Sequence, residues 1–113
     1  MKTLIIIPTY NEIDNIEKLL EQVLAKSETI EVLVIDDNSP DGTALRVKFM
    51  QSSEPRIHLL ERPGKMGLGS AYVTGFKYAL EQGYDYIMEM DADFSHNPND
   101  IPRFLETVKK YDV

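Results

Sequence analysis

The sequence contains no cysteine, no apolar run long enough to cross a bilayer and no excess of basic residues. Without cysteine, the 113-residue chain can form neither disulfide bonds nor thiolate metal sites. Its longest apolar run, Leu4–Ile7, is far too short to span a membrane, and Pro8 ends it before the hydrophobic region of a signal peptide could form. We therefore expect a cytoplasmic protein.

The scarcity of basic residues narrows the choice of partners. Lysine and arginine number 12 against 19 acidic residues, which gives a formal net charge of −7. Nucleic acids bind to basic faces, so this charge argues against a nucleic-acid partner, and a phosphate-bearing ligand would need a cation to mediate its binding. A composition of 42% hydrophobic and 27% charged residues is typical of a soluble globular protein, and the length allows one domain.

Strand-like and helix-like patterns alternate along the whole chain. Short apolar runs typical of buried strands occur at Thr3–Pro8, Glu31–Asp36, Arg56–Glu61 and Tyr84–Asp91. Amphipathic helical patterns follow them at Ile13–Leu24, from Ser39–Pro40 to about Ser52, at Leu68–Leu80 before Gly83, and at Ile101–Val108. Asn11 is the predicted N-cap of the first helix, and Ser39 with Pro40 is predicted to open the second. The alternation predicts an α/β fold with a Rossmann-like parallel sheet and helices on both faces.

Polar residues concentrate in the four segments that follow the predicted strands. In open parallel sheets, ligands bind in the crevice beyond the carboxyl ends of the strands. That rule selects Thr9–Glu12, Asp36–Asp41, Arg62–Gly69 and Asp91–His96 as the candidate binding segments.

The fourth segment contains Asp91 and Asp93, separated by one alanine. In an extended backbone their side chains point to the same side, about 6.6 Å apart along the chain. Two carboxylates so placed can converge on a divalent cation such as Mg²⁺ or Mn²⁺, which would also relieve their repulsion. The alternative is a solvated turn in which Asp93 or Asn97 caps the next helix.

The other three segments carry residues that suit a nucleotide, each with a structural alternative. Asp36 or Asp37 can accept a hydrogen bond from a ribose hydroxyl or from the ring N–H of guanine or uracil, or can belong to an Asx turn with Ser39 and Asp41 as caps. Lys65, in the glycine-rich "RPGKMGLG", can meet phosphate, although the G-x-x-G-x-G spacing fits neither the dinucleotide fingerprint nor the P-loop and also suits a tight turn. Tyr10 can stack on a base and Glu12 can bind a sugar or base edge. His58 and the tyrosines of the later segments are predicted to have structural roles.

Four stretches, in this order and spanning nearly the whole chain, carry a resemblance to a known family. They are "IIIPTYNE", "VLVIDDNSPDGTA", "RPGKMGLGSAYVTGFKYAL" and "MEMDADFSHNP". Together they resemble the family 2 glycosyltransferases of GT-A fold, and within them the dolichol-phosphate mannosyltransferases and their polyprenyl-phosphate relatives.

The resemblance implies a role for particular residues of this chain. It assigns nucleotide contacts to Pro8, Tyr10, Glu12, Ile35, Asp36 and Asp37. It assigns Asp91 and Asp93 to the metal and the donor diphosphate, with the backbone of Ala92 nearby. Ser95 stands where some relatives have a longer polar side chain that reaches the metal.

The resemblance also implies an activity. The expected reaction is the inverting, metal-assisted transfer of a hexose, mannose from GDP-mannose, to a polyprenyl or dolichyl phosphate at the cytoplasmic face of a membrane. Another donor such as a UDP-sugar, or another acceptor, stays open within the family. More distant alternatives are a phospho-acceptor receiver domain, whose paired acids would follow its first strand, and a nucleotidyltransferase, whose basic glycine-rich loop would do so.

The family's catalytic domain is about twice as long as this chain. We therefore expect residues 1–113 to form one nucleotide-sugar-binding domain that lacks its C-terminal part and does not complete transfer by itself. An unpaired sheet edge in such a domain favours a homodimer.

Overall fold

The computed structural model describes residues 2–64 and 66–92, apart from the side chain of Leu68. Strands and helices alternate in the order β1 Thr3–Thr9, α1 Ile16–Leu24, β2 Ile30–Asp36, α2 Thr43–Gln51, β3 Ile57–Glu61, α3 Leu68–Gln82 and β4 Tyr86–Glu89. The fourth predicted strand is therefore shorter at both ends than the sequence pattern indicated, and the predicted fourth helix lies outside the described residues. Among the described helices, none is both long and apolar enough to cross a membrane.

The described strands form one parallel sheet in the order β3-β2-β1-β4. β1 lies between β2 and β4, with Thr9 opposite Asp36 on one side and Ile6 opposite Glu89 on the other. The chain thus adds β2 and β3 on one side of β1 and then crosses to the other side for β4. The predicted α/β fold with a parallel sheet is confirmed.

The sheet separates two hydrophobic cores, because alternate side chains of a strand point to opposite faces. Ile5 and Ile7 of β1 pack on the face that α1 and α2 cover, together with the buried stripe of α1. Leu4 and Ile6 pack on the face that α3 covers. β1 is therefore buried on both faces, which explains its uninterrupted apolar sequence.

Helix α3 lies unusually close to β1 because residue 75 is glycine. A Cβ atom at Gly75 would lie 2.7 Å from the Cδ1 atom of Ile6, well inside van der Waals contact. Gly83 ends the helix in the left-handed conformation, with φ 76°, as its position in the sequence predicts. The predicted apolar stripe is narrower than expected at its end, since Leu80 is 73% exposed.

The predicted caps of the first two helices are wrong. α1 begins at Ile16 after Asn15, and Asn11 instead adopts a left-handed conformation with φ 57°. α2 begins at Thr43 after Gly42, three residues beyond Pro40. The reason is that Ser39 is engaged by the neighbouring loop: its hydroxyl oxygen accepts a hydrogen bond from the backbone N–H of Asn11 at 2.9 Å.

Candidate active site

The carboxyl ends of β1, β2 and β4 lie side by side, so the loops that follow them meet at one edge of the sheet. The strand order reverses between β1 and β4, and in open α/β sheets the binding crevice lies at this switch point. Tyr10 and Glu12 follow β1, Asp36 and Asp37 close β2, and Asp91 follows β4. The topology therefore brings the described acids of the sequence prediction to the same edge.

Asp36 is hydrogen-bonded to the end of β1 and to the loop after β2. It is 1% exposed, and its Oδ1 atom accepts hydrogen bonds from the hydroxyls of Thr9 at 2.7 Å and Ser39 at 2.6 Å. Its Oδ2 atom accepts the backbone N–H of Ser39 at 2.9 Å. These contacts join the ends of β1 and β2, which is a structural role for this carboxylate.

Asp37 forms a buried ion pair with Arg62. The guanidinium donates through Nε to Oδ1 at 2.6 Å and through Nη2 to Oδ2 at 2.8 Å, a two-point fork. The same guanidinium also donates to the hydroxyl of Ser70 at 2.9 Å and to the carbonyl of Gly67 at 3.3 Å. Hydrogen bonding to Asp37 raises the pKa of Arg62. Arg62 thus ties the end of β2 to the loop that leads into α3.

The loop after β1 is held by side chains of the loop after β2. Successive backbone N–H groups of Asn11, Glu12 and Ile13 donate to side chains of the second loop and of the first residue of α2. The acceptors are the hydroxyl of Ser39 at 2.9 Å, the hydroxyl of Thr43 at 3.0 Å and Oδ2 of Asp41 at 3.1 Å. These hydrogen bonds fix the backbone on either side of Glu12, and they show what Ser39 does in place of the predicted capping of α2. Asp41 also accepts the backbone N–H of Thr43 at 3.0 Å, which is an Asx turn at the start of α2.

Asp91 is contacted by a tyrosine of α3. The Tyr72 hydroxyl donates a hydrogen bond to Asp91 Oδ1 at 3.0 Å. Burial raises the pKa of the Tyr72 phenol, and the hydrogen bond to Asp91 raises it further, so the phenol stays neutral and remains a donor. The flanking Met90 and Ala92 are buried in the core that α1 and α2 cover, whereas Asp91 meets α3 on the opposite face. This alternation is that of a strand continued beyond Glu89.

The carboxylate of Asp91 is a suitable ligand for a hard divalent cation. Carboxylate oxygens are the ligands that Mg²⁺ and Mn²⁺ prefer, and such ions are often held by one or two carboxylates together with phosphate oxygens and water. Within residues 2–64 and 66–92, no group of three or more potential metal-binding side chains is present. Asp91 therefore fits a metal site in which a bound ligand supplies part of the coordination shell, and the described residues do not supply a complete set of metal ligands.

Several residues of the sequence prediction are placed differently or lie elsewhere. The side chains of Ile35 and Ala92 are buried in the two cores, so only their backbone atoms are available to a ligand, as the resemblance implies for Ala92. Lys65, Asp93, Ser95 and the adjacent His96 lie outside the described residues.

Sequence reasoning missed Arg62 and underestimated Tyr72. A signal for Arg62 was present, because a charged residue directly after β3 lies at the same sheet edge as the acids after β2. Tyr72 was predicted only to pack, and nothing in the helical spacing distinguishes it from Tyr78. Its contact with Asp91 depends on how α3 lies across the sheet.

Known proteins provide an independent comparison. The profile described as Glycosyl transferase family 2 matches residues 4–113. An undecaprenyl-phosphate mannosyltransferase of Micrococcus luteus is 46% identical over 113 residues, which are 100% of this chain and 46% of that protein. A polyprenol monophosphomannose synthase of Mycolicibacterium smegmatis is 43% identical over 108 residues, which are 95% of this chain and 41% of that protein. The chain thus spans less than half the length of these curated relatives.

A solved structure shows the same fold. A mannosyltransferase of Pyrobaculum calidifontis, in complex with GDP-Man and Mn²⁺, superposes with a TM-score of 0.73 at 29% sequence identity. The match covers 81% of this chain and 27% of that one. Since the family profile matches almost the entire sequence, as the four motifs predicted, the chain belongs to glycosyl transferase family 2.

Proposed function

We propose that this chain forms the donor-binding part of an enzyme that transfers mannose from GDP-mannose to a polyprenyl phosphate, with inversion at the sugar. The observation that carries the proposal is the position of Asp91 after β4, at the switch point beside the loops of β1 and β2. The relatives named as polyprenyl-phosphate mannosyltransferases support the acceptor, and the solved mannosyltransferase with GDP-Man supports the donor.

The loops after β1 and β2 are the proposed nucleotide site. Tyr10 is 38% exposed at the crevice and can stack on a base, while Glu12 follows it on a backbone that the second loop holds. Asp36 accepts three hydrogen bonds from Thr9 and Ser39, and Asp37 accepts three from Arg62 and the backbone N–H of Met66, so we assign recognition of the base to Glu12 instead. Pro8 and the backbone of Ile35, which are paired across β1 and β2, would then form the floor of the site, and Lys65 would meet phosphate.

Asp91 and Asp93 are the proposed ligands of a divalent cation, with Ser95 as an additional candidate. A bound Mg²⁺ or Mn²⁺ would neutralise the charge that develops on the departing diphosphate. The protein itself would hold the donor so that its anomeric carbon is open to in-line attack, which is the main contribution of such a site to the rate. The acceptor phosphate is already anionic, so its attack needs no strong general base.

The acceptor implies where the enzyme works. A polyprenyl phosphate presents its head group at a bilayer surface, and we propose that the protein acts there from the cytoplasmic side. The partners on either side of the reaction are therefore a soluble nucleotide sugar and a lipid phosphate.

Calorimetric titration with GDP and UDP, each in Mn²⁺ and in EDTA, tests the proposal. In a protein of net charge −7, a diphosphate should bind well only with the cation, and Asp91→Asn should abolish that gain. GDP should bind about tenfold or more tightly than UDP, because guanine offers two N–H donors to a carboxylate where uracil offers one.

Two results would contradict it. Equal affinity for GDP in Mn²⁺ and in EDTA would show that no metal takes part in nucleotide binding. Equal affinity for GDP and UDP would point to a sugar donor other than GDP-mannose. The acceptor is tested separately, by transfer of radiolabelled mannose from GDP-mannose to undecaprenyl or dolichyl phosphate by the full-length protein.

A further inference from the structure

Asp37 and Asp91, two acids at the crevice edge of the sheet, are held by different kinds of partner. Asp37 is bound by the cationic guanidinium of Arg62, whereas Asp91 accepts a hydrogen bond from the neutral phenol of Tyr72. A guanidinium offsets the negative charge of its carboxylate. A phenol fixes the direction of a carboxylate and supplies no positive charge, so it does not compete electrostatically with a cation.

The hydroxyl of Tyr72 is held in place by the packing of α3. The ring of Tyr72 packs against the core that Leu4 and Ile6 form with α3. One helical turn later, Gly75 allows the helix to approach Ile6 more closely than any residue with a side chain would. This close approach sets the height of Tyr72 above the sheet, and with it the position of its hydroxyl.

The backbone of Asp91 is held independently of its side chain. The N–H of Met90 donates to the carbonyl of Ile6 at 3.0 Å, which completes the last pair of β1 and β4, Ile6 with Glu89. Met90 and Ala92 are 3% and 4% exposed and anchor the chain on either side. With the backbone anchored, the rotation about the side-chain bonds decides where the carboxylate oxygens point, and the Tyr72 hydroxyl restrains that rotation at 3.0 Å.

We propose that Tyr72 is a positioning residue, which holds the Asp91 carboxylate in the orientation that binding of a divalent cation requires. The inference rests on the proposed function, in which Asp91 is a metal ligand. Groups that hydrogen-bond to a metal-binding carboxylate orient it before the ion arrives, and their loss typically lowers metal affinity about 10- to 100-fold.

Tyr72→Phe removes the hydroxyl and keeps the packed ring. Its matched control is Tyr78→Phe on the same helix, because Tyr78 packs against the same core and contacts the rings of His58 and Tyr84 instead of Asp91. Circular dichroism at the working temperature establishes that both variants are folded. The experiment uses the full-length protein.

Two affinities are then compared for the wild type and both variants. The first is the dissociation constant of Mn²⁺ in saturating GDP, from the electron paramagnetic resonance signal of free Mn²⁺. The second is the affinity for GMP in EDTA, which depends on base and ribose contacts and involves no metal. We expect Tyr72→Phe to weaken Mn²⁺ binding about 10- to 100-fold and to leave GMP binding unchanged, while Tyr78→Phe changes neither.

The possible failures are distinguishable. If the wild type binds no Mn²⁺ with GDP, the proposed function fails and the role of Tyr72 falls with it. If the wild type binds Mn²⁺ and Tyr72→Phe binds it equally well, only the role of Tyr72 is overturned. A parallel loss of Mn²⁺ and GMP affinity in Tyr72→Phe would show a general structural role and would also overturn the inference.

Discussion

Replacing Arg62 by lysine tests whether the buried fork between Arg62 and Asp37 holds the crevice together. Lysine keeps the positive charge, so Asp37 is not left buried without a cation nearby. It cannot reproduce the planar two-point contact with the carboxylate, nor reach Ser70 and Gly67 at the same time. The substitution therefore isolates the geometry of the guanidinium from its charge.

The magnitude follows from the burial of the pair. The side chains of Arg62 and Asp37 are 6% and 10% exposed, so water does not replace the lost contacts. A hydrogen bond to a charged group contributes about 1.5–3 kcal/mol, and we expect Arg62→Lys to cost about 2 kcal/mol. In a domain of this size that lowers Tm by about 8–16 °C. Arg62→Met would leave the buried carboxylate without its guanidinium, at a cost of about 3–5 kcal/mol.

Thermal unfolding followed by circular dichroism measures the effect, with Arg46→Lys as the matched control. Arg46 pairs with Glu17 at 3.4 Å, and their side chains are 46% and 40% exposed, so its replacement should change stability by less than about 1 kcal/mol. A double-mutant cycle of Arg62→Lys with Asp37→Asn should show a clear coupling energy. Equal Tm losses at positions 62 and 46, or additive effects in the cycle, would refute the reasoning.

Two further predictions concern the sheet and its α3 face. Gly75→Ala should destabilise the protein in urea unfolding, because overpacking against Ile6 costs about 1–3 kcal/mol, whereas the gain in helix propensity is only about 1 kcal/mol. The control Gly69→Ala should be neutral or stabilising, because a Cβ atom there meets nothing within 4 Å. Equal effects at the two glycines would contradict the close packing of α3 on β1. Burial tends to raise the pKa of Glu31, but hydrogen bonds, first of all with His58, outweigh it and lower the pKa below the ordinary value of 4.5. The stability that Glu31 contributes is therefore present above about pH 4.5 and lost as the pH falls through the lowered pKa. On acidification, Glu31→Gln should lose less stability than the wild type. Parallel profiles of stability against pH for the two proteins would show that Glu31 has no such role.

Much of the fold could be predicted from the sequence because its signals are local. The four-residue run Leu4–Ile7 is buried on both faces, as only a central parallel strand requires, and the spacing of Ile16, Leu19, Leu20, Val23 and Leu24 gives α1 its buried stripe. Gly83 ends α3 because a left-handed residue there favours glycine. The family followed from four motifs in a fixed order, which no single loop would have specified.

Only the tertiary structure decided which side chains meet at the crevice. Asp37 and Arg62 are 25 residues apart, and Tyr72 and Asp91 are 19 apart, so no local pattern links them. The capping predictions for Asn11 and Ser39 failed for the same reason, since backbone groups of one loop found their partners in another loop that the strand order β3-β2-β1-β4 places beside it. Local propensity determines where strands and helices form, because it acts within one turn of chain. The partners of the loop residues depend on the order of the strands and on the close approach of α3 at Gly75, and these are properties of the packed molecule.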